Sequence, residues 1–383
     1  MSITLLLCLL AGQAALIVMS PVLVQAASDL DVSTATAGQL RTVTGLAAAV
    51  TALLLGAVPA RVGLGGQLLA ASGLLVVGSL ASAAAPTFVA LLAAQVPVGV
   101  GVGALTTAGV LASAEWVAPE LRARALSWTL VGPSAAWILG MPLIGTVGGV
   151  SWRLGWLVLP LPAAIVAGLL VAPRAAAPSR EVRRAPVGAV LADRTLAGWL
   201  AAELAANAGW AGTLVYSGAL FVQSYGTSAA STGGLLAVVA SLYVAGNLTA
   251  RRLVRLEARG LLAALSLLLA LADAAFGAVR VGVAASTLLF SSAAFLFGAR
   301  TLLSNAYALS RSPELRPTLA SLRTATMQLG YFVGATAGGA ALALGGYGAL
   351  GGAMGLLFAS AALALAAPAA RPDRRTAIIL PGG

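Results

Sequence analysis

The sequence predicts an all-α polytopic membrane protein, with about twelve transmembrane helices in two pseudo-symmetric six-helix bundles. Three observations carry that reading. Of 383 residues, 60% are hydrophobic and only 9% charged, whereas a soluble domain carries about 25% charged residues. The apolar runs are continuous, as from Leu261 to Leu271 and from Ala361 to Ala367, where the strands of a barrel would alternate. The basic residues collect in alternate connections. Hydrocarbon satisfies no backbone N–H or C=O, so continuous apolar runs of spanning length form helices.

Breaks at proline, glycine and charge place the helices in order. The first, 3–27, lacks the positive leader of a cleaved signal and outruns an h-region, so it is a retained span. The second, 37–58, follows the polar Ser28–Thr36 stretch and ends before Pro59 and Arg61. Spans 65–84 and 87–114 are separated only around Pro86, and 124–147 follows the charged Glu120–Arg124 turn. Span 154–172 runs from Arg153 to Pro173. The Pro-, Ala- and Arg-rich stretch 173–193 has no apolar period and reads as a cytoplasmic linker. It divides an N-terminal bundle, 1–172, from a C-terminal bundle, 194–370, with a tail at 371–383. The second bundle holds 194–222, 230–250, 260–278, 281–308, 318–344 and 346–367, the last pair parted by Gly345 and Gly346 alone.

Charge sets the orientation. With the N-terminus inside, eighteen of the 22 arginines fall in cytoplasmic segments; Arg41, Arg153 and Arg280 lie outside, and Arg300 alone is left within a span. That bias puts both termini in the cytoplasm. It also explains the net charge of +11 without a nucleic-acid partner. The absence of histidine and lysine removes histidine metal sites, a P-loop and any lysine Schiff base. No metal or cofactor is expected. Cys8 has no second cysteine to pair with and reads as a lipid or packing residue. No histidine, cysteine or paired-carboxylate site stands in the spans, so the chain is not read as an enzyme.

The two halves repeat. PELRARALSW from Pro119 returns as PELRPTLASL from Pro313, 194 residues on, and Gly140 and Gly145 meet Gly334 and Gly339 at that offset. Gly56-x-x-x-Ala60-Arg61 returns as Gly246-x-x-x-Ala250-Arg251. Parallel repeats of this kind mark transporters that rock two halves about a central site.

Ionisable groups inside spans are functional candidates by default. Glu203 lies nine residues past Arg194, and Arg300 eleven before Arg311, at matching depth. Asn207, Trp210 and Ser217 continue the Glu203 face at helical spacing. That face reads either as a cavity wall or as helix-to-helix packing. Gln13 and Gln95 are milder polar candidates in the N-terminal half. Asp273, seven residues before Arg280, is expected to pair with it near the outer surface. Glu120, Arg122, Glu314 and Arg316 of the two PELR segments read as a duplicated cytoplasmic latch.

Ala26–Leu40, Gly56–Gly66 (GAVPARVGLGG) and Gly140–Trp156 (GMPLIGTVGGVSWRLGW) resemble the major facilitator superfamily, nearest its drug:proton antiporter and sugar-efflux branch, over nearly the whole chain. The resemblance implies the major facilitator fold, with helices 1, 4, 7 and 10 around a central cavity. A Glu203–Arg300 pair there would neutralise both charges and open on protonation or substrate binding. It implies gating roles for Gly56, Arg61, Gly63 and, through the repeat, Arg251. This chain departs from the pattern at Ala60, where the family has an acid, at Gly65 and Gly66 in place of a basic pair, and at Gln95, where it has an arginine. The helix 5 motif keeps Gly132-Pro133 but has Ala136-Trp137 in place of its glycine pair. The expectation is a monomeric transporter of the bacterial inner membrane, exporting a small organic compound (a drug, sugar or metabolite) against protons by alternating access. An uncoupled facilitator or uptake symporter is the nearest rival, and a non-transporting sensor or scaffold the rival of another class.

Overall fold

The computed structural model describes residues 2–57, 62–175, 187–253, 258–311 and 315–366. Among them the secondary structure is helical throughout. The first span is bent. Helix α1 (Ser2–Ile17) gives way to α2 (Met19–Asp29) at 41°. Pro21 has no N–H for the Ile17 carbonyl, and its ring crowds that oxygen, which accounts for the bend. A short α3 (Thr34–Ala37), capped by Ser33, leads into α4 (Leu40–Ala57). Then come α5 (Leu64–Ala84) and α6 (Phe88–Glu115), the latter capped by Thr87 Oγ1 on the Ala90 amide at 3.2 Å.

The fifth crossing is assembled from pieces. These are α7 (Arg122–Thr129), α8 (Val131–Ala135), a π-helical turn over Ala136–Gly140, and α9 (Met141–Gly148). Pro133 leaves the Thr129 carbonyl unpaired, which is where α7 stops. The sixth crossing breaks between α10 (Leu154–Val158) and α11 (Pro160–Val171), because the residue before a proline is pushed off helical geometry and Leu159 takes φ −130°. The expected linker contains one helix that its composition concealed, α12 (Val187–Ala192), whose Val190 is fully buried.

In the second half α13 (Arg194–Tyr225) is capped by Asp193, whose Oδ1 accepts from the Thr195 amide at 2.8 Å, and ends at Gly226 with φ 66°. Helices α14 (Ala229–Thr249), α15 (Ala258–Ala278) and α16 (Val283–Arg311) follow. The last helix, α17 (Arg316–Ala366), is two spans joined without a loop. Only Gly345 and Gly346 leave helical geometry, and Gly346 does so at φ 64°, which glycine alone adopts cheaply. The expected parting at 344–346 is present: one helix ends and the next begins at Gly345 and Gly346, with no further loop residues between them. Nine described helices are apolar and long enough to cross a membrane, and ten if α1 and α2 are one span. With α17 read as two and α13 added, the crossings reach the twelve expected. Helix α13 falls short on hydropathy because it carries Arg194, Glu203 and Asn207. The repeat is visible in the register: Arg122 and Arg316 each open a helix.

The halves meet at the arginine-poor end. Tyr216 Oη donates to the Ala335 carbonyl of its own half at 3.0 Å and accepts from Gln39 Nε2 of the other half at 3.3 Å, and Gln39 Nε2 also donates to the Ala335 carbonyl at 3.1 Å. Gln223 Nε2 donates to Thr34 Oγ1 at 2.9 Å. Backbones approach closely where side chains are missing. A Cβ on Gly218 would run into the Ser20 carbonyl of the other half, and one on Gly145 into the Ala229 carbonyl. On Gly45 it would stand 2.8 Å from the Phe332 nitrogen. Small residues let helices touch in this way where lipid supplies no hydrophobic drive between them.

This seal makes a prediction. Gly218→Leu is expected to hold the arginine-poor end apart, so a cysteine introduced at Thr42, whose hydroxyl lies 3.2 Å from that of Thr336 across the seam, should react faster with an impermeant maleimide. Unchanged labelling would show that the seal does not depend on the glycine contact.

Candidate functional site

The strongest polar constellation in the spans joins α13, α15 and α16. Arg300 Nη1 donates to Glu203 Oε1 at 2.6 Å, with side chains 1% and 3% exposed. Arg300 Nε donates to Ser266 Oγ at 2.9 Å, and Nη2 to the Ala202 carbonyl at 3.3 Å. The charges meet as their matching depths predict. Each neutralises the other, and the arginine's remaining donors find a hydroxyl and a backbone oxygen. A buried pair survives desolvation only under such conditions. The third helix in the clamp, α15, had no place in the sequence reading of this pair.

The rest of the Glu203 face packs within the C-terminal half. Asn207 Nδ2 donates to the Glu203 backbone carbonyl at 2.7 Å. Trp210 is buried among rings, stacked on Phe297 with centroids 4.7 Å apart and tilted on Phe290 at 5.7 Å. Ser217 donates to its own helix at the Leu214 carbonyl. This ring cluster ties α13 to α14 and α16, and its heavy apolar contact area makes it a rigid body rather than a row of side chains held out to solvent.

Asp273 corrects the sequence reading. It does not pair with Arg280, which is exposed beyond the end of α15; Asp273 is 0% exposed, has no counter-ion, and faces only the Thr213 hydroxyl, with no hydrogen bond of good geometry. The i,i+7 spacing was right for one face, but the helix ends between the two. Asp273 stands on the buried stripe of α15 with Leu262, Ser266 and Leu269. The acid that does pair at the arginine-poor end is Asp29, with Arg153 and with Trp152 Nε1 at 3.0 Å.

In the N-terminal half Gln13 Oε1 accepts from Trp137 Nε1 at 3.2 Å, and Trp137 belongs to the π-turn. Such turns recur where a helix re-aims a side chain. Gln95 is buried and engaged at both ends: its Oε1 accepts from Thr44 Oγ1 at 3.1 Å, and its Nε2 donates to Ser82 Oγ at 3.0 Å. Of the gating candidates, Gly56 lies in the last turn of α4, and Gly63 caps α5 in extended geometry. Glu120 and Arg122 are exposed with no ion pair between them, and Arg251 is exposed in the turn after α14. Arg61 and Glu314 lie outside the described residues, as does the side chain of Arg316, so the duplicated latch cannot be assembled from the described residues.

One charge was passed over. Arg41 counted as an outer-loop arginine, yet it stands inside α4, 9% exposed, with its guanidinium carbon 4.1 Å from the centroid of the Tyr331 ring on α17. The signal was present, since Arg41 falls inside the apolar run expected as the second span.

The pair predicts a stability signature. Arg300→Met alone should destabilise by about 3–5 kcal/mol by stranding a buried carboxylate. Adding Glu203→Leu should recover much of the loss, as read by thermal unfolding in detergent. Equal midpoints for the single and double variants would show that the two charges are not coupled.

The profile of the Major Facilitator Superfamily matches residues 3–334. Among solved structures, a D-xylose–proton symporter superposes with a TM-score of 0.73 at 14% identity, covering 95% of this chain and 96% of the other. A bacterial homologue of the human lysosomal transporter Spinster, in an inward-facing and occupied conformation, gives 0.69 at 14% identity, covering 95% and 93%. The same homologue in an inward-facing, unoccupied conformation gives 0.70 at 16% identity, again covering 95% and 93%.

Proposed function

The chain belongs to the major facilitator superfamily and is therefore a membrane transporter, and we propose that it works by alternating access, exporting a small organic compound in exchange for protons. The observation that carries this is the seal. Two repeated six-helix halves meet through close glycine contacts and a few single hydrogen bonds at the arginine-poor end, beside apolar packing that continues from one half into the other. A seam of apolar and glycine contacts with few directional bonds suits two halves that rock against each other, as alternating access requires. With the arginine-rich end in the cytoplasm, the sealed end faces out and the state is inward-facing. The protein sits in a bacterial inner membrane as a monomer with both termini inside.

Within each half the parts are rigid. The Glu203–Arg300–Ser266 clamp and the ring cluster about Trp210 hold the C-terminal bundle as one body. The carboxyl groups inside the described spans, Glu203 and Asp273, are the candidates to carry a proton; Asp273 is the one with no counter-ion, only the Thr213 hydroxyl beside it. Support for proton coupling also comes from the likeness to a D-xylose–proton symporter. A second reading, an uncoupled facilitator, is favoured by Gln95. A neutral amide locked between Thr44 and Ser82 stands where the family pattern has a charge.

The test uses inside-out vesicles holding a proton gradient, a panel of antibiotics, sugars and metabolites, and a pH-sensitive dye. A compound that dissipates the gradient only when the protein is present, and no longer does so with Asp273→Asn, is the expected result. Equilibration of labelled compounds with no effect on the gradient would replace the antiporter with the facilitator.

A further inference from the structure

Two charged side chains buried in this bundle have no ion-pair partner among the described residues, Asp273 and Arg41. Arg300 has Glu203, and Arg153, half-buried, has Asp29. Arg41 is 9% exposed and has no carboxylate within ion-pair distance among the described residues; what faces it is Tyr331, through the ring and the hydroxyl, and neither carries a full negative charge. An aromatic face returns only part of what a guanidinium loses on leaving water. The missing partner is an anion.

There is a place for one. Arg41 lines a cavity of about 30 Å³ together with Ser20, Gly38, Thr44, Gln95 and Val215. The lining belongs to the N-terminal half except for Val215 on α13, so the cavity lies within that half at its edge with the other. Its walls hold a cation and no acid. Thr44 Oγ1 already donates to the Leu40 carbonyl at 2.8 Å and to Gln95 Oε1 at 3.1 Å, and Gln95 Nε2 donates to Ser82. The guanidinium is left as the strong donor facing the space. A volume of this size holds about two waters, enough for a carboxylate head and too small for a whole substrate. A guanidinium fork matches a carboxylate in a planar, two-bonded geometry.

We propose that Arg41 anchors the carboxylate of the transported compound, which makes the cargo an organic acid. This rests on the transporter reading for the word cargo, but not for the site. Arg41 also touches both halves, through its own helix and through Tyr331 on α17, so an acid bound there engages the seam itself.

The experiment measures the thermal midpoint of the purified protein in detergent with a panel of carboxylates, each paired with its neutral amide, benzoate against benzamide among them. Carboxylates are expected to raise the midpoint and their amides not to. Arg41→Gln is expected to weaken the binding about tenfold or more, as the loss of a charge-assisted pair implies, while Arg41→Lys keeps part of it. Equal shifts for acids and amides, no shift with any acid, or a full shift retained in Arg41→Gln would each overturn the proposal. Counterflow in proteoliposomes separates the two readings. Acid binding through Arg41 with no compound carried leaves the anion site standing and removes the transporter. Carriage of neutral compounds undiminished in Arg41→Gln does the reverse.

Discussion

Hydrocarbon gives no hydrogen bond and screens no charge, so every polar atom that enters the membrane must find its partner inside the protein. The rest of this structure follows from that constraint. It makes the chain helical, and it decides what happens wherever a helix is interrupted. The breaks at Thr129 and Leu159 sit where proline removes a donor or crowds the preceding residue. It also explains the clamp. Glu203 and Arg300 are tolerated because the guanidinium spends its donors on a carboxylate, a hydroxyl and a carbonyl. Where the constraint is met inside one half, the result is a rigid body. Where it is met across the seam, by Gln39 and Gln223, the halves are joined by a few single hydrogen bonds.

The fold was legible because its signals are one-dimensional. Apolar run length, arginine bias and a duplicated PELR segment need no knowledge of contacts, and the crossings they imply are the ones present. Local breaks were less legible. The Gly345–Gly346 break was legible, because a glycine pair is where a chain can leave helical geometry at low cost, but the pieces of the fifth crossing were not. The linker helix α12 was hidden in six residues, too few to show a period.

The site was legible in part, for a different reason. Depth along a helix follows from residue counting, so the meeting of Glu203 with Arg300 could be expected. Azimuth about the helix and the identity of neighbours could not. That is why Ser266 was missed as the third member, and why Asp273 was given to Arg280 when its face turns inward. It is also why Arg41 passed as a loop charge. The positive-inside count assigns arginines to segments, and an arginine two residues into a helix is invisible to it.

The clamp also bears on how the protein is made. Glu203 and Arg300 are separated by 97 residues. At about 5–20 residues per second, the ribosome delivers the arginine some 5–20 s after the glutamate. Throughout that interval α13 carries an acid with no counter-ion, in a helix already short of the hydropathy that drives insertion. A lone acid at the centre of a span opposes partitioning into lipid by about 2.5–3.5 kcal/mol. The seventh crossing is therefore the one that depends on shelter, at the translocon or against the finished N-terminal bundle, until α16 arrives to neutralise it. Biogenesis of the second half is in this sense a wait for one arginine.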